Sequence, residues 1–324
     1  MRPTFAFVAL PAVMAMYLPF CAAEVRPTVQ PWDATLASLW KLPEDLPDRD
    51  LFAGPWGASR APDPNSTYTL LERKHSGINP GMTVRDGRGR KWSVKQAPGD
   101  GQASEGPIEV VMSRVLSALG YHQPPVYFLP SFTLRDNWGT HVEGGGRFRL
   151  HDKSLKDKGE WSWQQNPFVG MRPYQGLLVT LMMFGASDLK NSNNTLYEHR
   201  TGDFVERWYV VRDLGTALGT TGRFTPVRGD PKEFERRPFV LGVRDGFVQF
   251  DYRGWHQELV RDTITPDDVG WASELLSQLT DRQWHDAFRA GGYPPQVAER
   301  FIGKLRASVA EGVRVGGDDW RPTR

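Results

Sequence analysis

Cysteine is nearly missing: the 324 residues contain one, Cys21. A lone thiol excludes an internal disulfide and a multi-cysteine metal site. Excess charge of one sign is missing too. Lys and Arg total 40 against 38 Asp and Glu, a formal net charge of +2, and the basic residues are interspersed with acidic ones. That pattern argues against a nucleic-acid surface. No apolar run reaches the length of a membrane-spanning helix. Phe5 to Phe20 is nearly all apolar, but it is short and contains Pro11 and Pro19. The seven histidines, His75, His122, His141, His151, His199, His256 and His285, show no ligand spacing for zinc. There is no Gly-x-Ser-x-Gly nucleophile elbow, no internal repeat and no low-complexity tract.

The N-terminus has the layout of a secretory leader. Arg2 precedes the apolar stretch, and Cys21-Ala22-Ala23 supplies small residues before Glu24. Residues 1–23 are expected to be removed, taking the only thiol with them. The mature chain is then expected to be periplasmic or extracellular, with no integral membrane span left. An uncut N-terminal anchor and lipidation at Cys21 are the competing readings, and Phe20 is large for the latter.

Residues 24–65 are rich in Pro, Asp and Trp. The prolines forbid a long element, although Asp33 to Lys41 reads as a short capped helix. The extension is expected to pack on the main body through Trp32, Trp40, Leu51 and Phe52. From Thr67 the pattern becomes strand-like. Met82-Thr83-Val84 and Lys91 to Lys95 flank Asp86-Gly87-Arg88-Gly89, a hairpin signal. Ile108, Val111, Met112, Val115 and Leu119 form one face of a helix that Gly120 ends. Pro124 to Pro130 follows, and then a second strand pair across Thr133 to Leu150. Tyr174 to Phe184 is an almost wholly apolar helix, as expected of a buried spine. Arg237 to Tyr252 holds another hairpin, turned at Asp245-Gly246. The C-terminal part is helical from Thr265, which reads as an N-cap. The expected fold class is α+β with two lobes: a small β-rich N-lobe over 66–130 and a larger, mainly helical C-lobe over 131–324.

The chain is organised around Met183 to Gly215, where two acidic loops flank an apolar hairpin. The first loop is Asp188-Leu189-Lys190-Asn191-Ser192-Asn193, and the second is Asp213-Leu214-Gly215. An Asp, a Lys two residues later, an Asn five residues later and a separate Asp-x-Gly suit phosphoryl transfer. The first Asp can take the proton of an attacking hydroxyl, the Lys can neutralise phosphoryl charge, and the Asn and second Asp can hold Mg²⁺. Upstream, Lys95 sits on a strand within reach of α/β-phosphates, and Glu109 in the next helix can fix it. The loop running from Ser76-Gly77 to Gly81 lies between strands, where backbone N–H groups can cover phosphates.

In this order, Val94-Lys95, Glu109, Asp188-x-Lys190-x-x-Asn193 and Asp213-Leu214-Gly215 resemble the protein-kinase-like superfamily. The atypical branches are the nearest in pattern: HipA-type, phosphoinositide and secretory-pathway kinases. The resemblance spans roughly 67–220. It implies a bilobal kinase-like fold with ATP and Mg²⁺ as cofactors. Lys95 would meet the α/β-phosphates with Glu109 as its partner, Asp188 would be the base, and Asn193 and Asp213 would hold metal. Ala186-Ser187 stands where typical eukaryotic kinases have His-Arg, no Ala-Pro-Glu follows Asp213, and the nucleotide loop lacks a full Gly-x-Gly-x-x-Gly. The acceptor is therefore open among a protein, sugar or lipid hydroxyl. A catalytically silent binding or scaffold module and nucleotidyl transfer on the same fold are the alternatives.

Overall fold

The computed structural model describes residues 37–74, 81–97, 105–224 and 226–317. The leader, Trp32, Ser76 and Gly77 lie outside them. A two-residue strand, β1 (Ala37–Ser38), opens the described chain. Where Asp33 to Lys41 was expected to turn into a helix, Ala37 and Ser38 instead add in parallel to the edge of a later strand, opposite Arg207 and Trp208. Trp40 then bridges to Tyr121, and its indole N–H donates to the Leu119 carbonyl at 2.7 Å. Edge pairing and this anchor satisfy backbone and indole groups that a short, proline-flanked helix would leave to water. Leu51 is buried as expected, whereas Phe52 is exposed with the Arg289 guanidinium over its ring.

The small lobe is a closed five-stranded barrel. Its strands are β2 (Thr67–Lys74), β3 (Gly81–Arg85), β4 (Lys91–Gln96), β5 (Val126–Asp136) and β6 (Gly139–Leu150), in the order β2-β3-β4-β6-β5. Parallel pairing of β2 with β5 closes it. Strand period 2 decides the interior: Tyr68, Met82, Val84, Trp92, Val94, Leu134 and Phe148 fill it. The neighbours of these residues on β4 and β6, Ser93, Lys95, Arg147 and Arg149, take the opposite face. The barrel runs to Leu150, so β5 and β6 carry this lobe past residue 130. The β3–β4 turn is held by Asp86, whose carboxylate accepts from the Arg88 and Arg90 N–H groups and from the Trp92 indole.

Helix α1 (Glu105–Ala118) follows β4. One apolar face was expected, but nearly every residue is buried. The helix lies between the barrel and a later helix, and the N-terminal extension covers its remaining side. Arg49 donates to the Ser117 and Ala118 carbonyls there, capping the helix end.

Strand β7 (Leu155–Asp157) leads to α2 (Arg172–Phe184), buried nearly all round. Next come the antiparallel pair β8 (Asn194–Thr201) and β9 (Phe204–Val211), which with β1 and β7 make a four-stranded sheet, β1-β9-β8-β7. The remainder is α3 (Pro231–Arg236), the hairpin β10 (Gly242–Arg244) and β11 (Phe247–Gln249), then α4 (Pro266–Ser277), α5 (Asp281–Ala290) and α6 (Pro295–Gly316). Thr265 caps α4 through a full capping box, as the sequence indicated, and Thr280 does the same for α5. The fold is α+β, β-rich in its N-terminal part and helical in its C-terminal part. Among the described residues no helix is long and apolar enough to cross a membrane.

Candidate active site

The barrel and the helical lobe meet at a cleft of about 860 Å³, lined by Lys74, Ser93, Arg149, Leu150, His151 and Arg212 among others. Lys95 sits near the end of β4, opposite Gly81 and Arg147 in the strand ladder. Its ammonium is 2.6 Å from Glu109 Oε1, 2.7 Å from Glu105 Oε2 and 3.7 Å from Asp213 Oδ1. Burial would strip its proton, but Glu109, Asp213 and Glu105 overcome that and hold it above the ordinary lysine value. Arg147, buried under the helix, pairs with the other oxygen of Glu109 at 2.8 Å. Arg228, beyond Asp213 in the chain, pairs with Glu105. Each carboxylate of α1 therefore has two cationic partners.

Glu105 was not expected. The clue lay in its spacing: Glu105 and Glu109 are four residues apart, which puts them on one helix face. Arg147 and Arg149 were hidden for a different reason. They belong to the long β5–β6 hairpin, and only the register Ser93↔Arg149 and Lys95↔Arg147 brings them beside Lys95.

Asp213 closes the site from below. Its φ of 54° is left-handed, a conformation that Asp tolerates through its short polar side chain. Burial pushes the Asp213 carboxyl up, but Arg149, Lys95, Arg147 and Arg212 outweigh it, and the group stays below the usual carboxylate range. Gly215 is required two residues on. A Cβ there would lie 2.3 Å from Glu105 Cβ, so only glycine lets the Asp-Leu-Gly loop pass under α1.

The Asp188 loop is delivered by the C-terminus of α2. Gly185 ends the helix in left-handed geometry, its N–H reaching the Leu181 and Met182 carbonyls. The buried Arg237 guanidinium donates to the Met182 and Met183 carbonyls at 2.7 and 2.9 Å, and burial pulls its pKa down to about 10. Arg237 is thus an internal cap, and Trp161 and Trp163 are core residues. Ser187 C=O accepts from the Trp255 N–H and the Tyr252 hydroxyl. Beyond it, Lys190 Nζ lies 2.8 Å from Asp188 Oδ1 and sits over the Trp255 ring. Asn193 donates its amide to the Asp188 carbonyl at 2.7 Å, tying the two ends of the loop together.

The structure brings Lys95, Glu109 and Asp213 into direct contact, and Asp188, Lys190 and Asn193 into a second linked group. Gly81 opens β3 beside the Lys74 side chain, while Ser76 and Gly77 are outside the described residues. Among the described residues no three His, Cys, Asp or Glu side chains converge on a metal position. The oxygen donors present, the Asp213 carboxylate and the Asn193 carboxamide, suit Mg²⁺, which takes few protein ligands and fills its shell with water and phosphate oxygens.

No family model and no curated protein matches this chain. Among solved structures, the proinflammatory kinase CtkA of Helicobacter pylori is similar at 13% identity and a TM-score of 0.38, over 77% of this chain and 96% of that one. The Rio2 kinase of Chaetomium thermophilum, in an ADP/Mg²⁺-phosphoaspartate complex, is similar at 12% identity and a TM-score of 0.33, over 76% and 71%. Both neighbours are kinases. In this chain Lys95 joins β4, α1 and the Asp-Leu-Gly loop.

Proposed function

We propose that this protein is a Mg²⁺- and ATP-dependent phosphotransferase acting on a hydroxyl acceptor. The observation that carries the reading is Lys95, fixed by Glu109 and in contact distance of Asp213. A lysine so placed can leave its carboxylates in part for the α/β-phosphates of a donor. Asp213 and Asn193 would hold Mg²⁺, which supplies charge neutralisation between the phosphates. Asp188 receives the proton of the acceptor hydroxyl, and Lys190, bridged to it, offsets the negative charge gathering on the transferred group. Arg212 and Arg149 line the interlobe cleft and add positive potential. The leader-like N-terminus supports an exported location, periplasmic or extracellular.

A binding module without catalysis is the second reading, favoured by one observation: in this state Lys95 is engaged by three carboxylates. Thermal melting of the mature protein with ATP and Mg²⁺, beside Asp213→Asn, separates the two. Ligand that binds only the native state raises the melting temperature. A Mg²⁺-dependent rise that the variant loses supports the phosphotransferase. No rise at millimolar ATP removes it and leaves the binding module.

A further inference from the structure

The wall of the interlobe cleft is unusual for a nucleotide site. Seven lysines and arginines line it: Lys74, Arg88, Arg90, Lys91, Arg149, Lys153 and Arg212. Arg90 pairs with Asp86; none of the other six forms a salt bridge among the described residues, and Asp213 is the carboxylate that Arg149, Arg212 and Lys74 act on. Of the acids along the wall, Asp152 is already paired with Arg60, which leaves Asp157. The basic groups are also spread along the cleft. Arg149 and Arg212 adjoin Asp213 in a smaller pocket at the site itself. Lys91 and Lys153 stand at the segment that joins the lobes, where the Lys91 carbonyl accepts from the His151 N–H. The Lys74 ammonium is pulled below the ordinary lysine value by burial and by Arg149 and Arg147. His151 is pulled down by burial, Lys91, Arg149 and Lys74. Positive charge on this wall outnumbers the negative.

A nucleoside triphosphate carries its charge at one end and a neutral aromatic ring at the other, and rings prefer apolar walls. The cleft offers cations at both ends. We propose that linear polyphosphate is a second phosphoryl donor for this site, its chain lying along Arg149, Arg212, Lys74, Lys91 and Lys153. The inference rests on the phosphotransferase reading above. In the step, the terminal P–O(bridging) bond breaks and a P–O bond to the acceptor oxygen forms. The acceptor proton passes to Asp188, and polyphosphate one unit shorter leaves with the electron pair on its new terminal oxygen. Polyphosphate is a repeating anion, so cations placed along a groove recognise it through charge-assisted hydrogen bonds to successive phosphates.

The test uses the whole mature chain with Mg²⁺ and medium-chain sodium polyphosphate. Thermal shift measures its binding, and displacement of a fluorescent ATP analogue measures competition. Polyphosphate is expected to raise the melting temperature and displace the analogue. The double variant Arg149→Ser/Lys153→Ser should weaken polyphosphate roughly tenfold or more through two lost charge-assisted contacts. Arg244→Ser/Arg253→Ser, at exposed arginines outside the cleft, should leave binding unchanged. Polyphosphate that fails to displace a bound analogue overturns the proposal, as does binding that the cleft variant does not weaken. Failure of the analogue itself to bind removes the phosphotransferase reading instead, and the polyphosphate shift with its variants still decides whether the cleft recognises that polymer.

Discussion

Lys95 on β4 and Glu109 on α1 are 2.6 Å apart, joined across the cleft-facing side of the barrel. Glu109 also neutralises Arg147, which is otherwise buried against the helix. Glu109→Gln therefore removes one charge and strands another. Breaking one side of a buried pair costs about 3 kcal/mol or more. Urea denaturation should show a loss of that order, together with loss of the ATP-dependent rise in melting temperature. An unchanged midpoint would mean that Arg147 finds another acceptor.

Gly215 and Glu105 define a second dependence. Gly215→Ala places a methyl against the Glu105 side chain, and overpacking of this kind costs about 1–3 kcal/mol. Glu105 has to move, and with it its contacts to Lys95 and Arg228. The variant should fold, melt lower, and bind ATP more weakly than wild type. Calorimetric titration with Mg²⁺ and ATP checks this, and wild-type affinity in the variant would show that the loop can shift at no cost to the site.

Asp188 is tied to its loop through its backbone carbonyl, by Asn193, so its side chain can be removed without untying the loop. Asp188→Ala should lower phosphoryl transfer about 10³-fold, the range of general base catalysis. Nucleotide binding should persist. The readout is turnover of labelled ATP beside thermal shift, and loss of binding together with turnover would point to a structural role.

Acid sensitivity follows from His122. Its ring stacks on Trp208 at 4.3 Å and its Nε2 lies 2.7 Å from Ser38 Oγ. Burial, His199 and Lys41 pull its pKa from 6.5 down to about 3. Below 6.5 the unfolded chain takes up a proton that the folded chain refuses, so stability falls as pH falls from 6.5 toward 3. His122→Phe keeps a flat ring on Trp208 and removes the titration. Melting curves from pH 7 to 5 should fall less steeply in the variant, with the remaining slope owed to His151 and His199, both also held down. Equal slopes would exclude His122 as the sensor.

Much of the site was legible because its residues sit at element ends with local signals. Asp188 follows the glycine that stops an apolar helix, and Asp213 follows an apolar strand. Lys95 and Glu109 could be paired in advance because a strand and the next helix bring them together over a short separation. The brief helix expected at Asp33 to Lys41 did not materialise over Ala37–Ser38, because tertiary edge pairing outweighs local propensity in a two-residue segment.

Spacing, caps and period therefore indicated, from sequence alone, where the α2 spine ends, where the β3–β4 and β10–β11 hairpins turn, and that Lys95 and Glu109 can pair. These are local properties, set by backbone sterics and side-chain alternation within a few residues. The tertiary structure alone decided the electrostatics. Strand register places Arg147 and Arg149 beside Lys95, chain return places Arg228 on Glu105, and a missing Cβ at Gly215 lets the second acidic loop reach the lysine. Such contacts join residues tens of positions apart, and Coulomb interactions depend on distances that only the folded chain fixes.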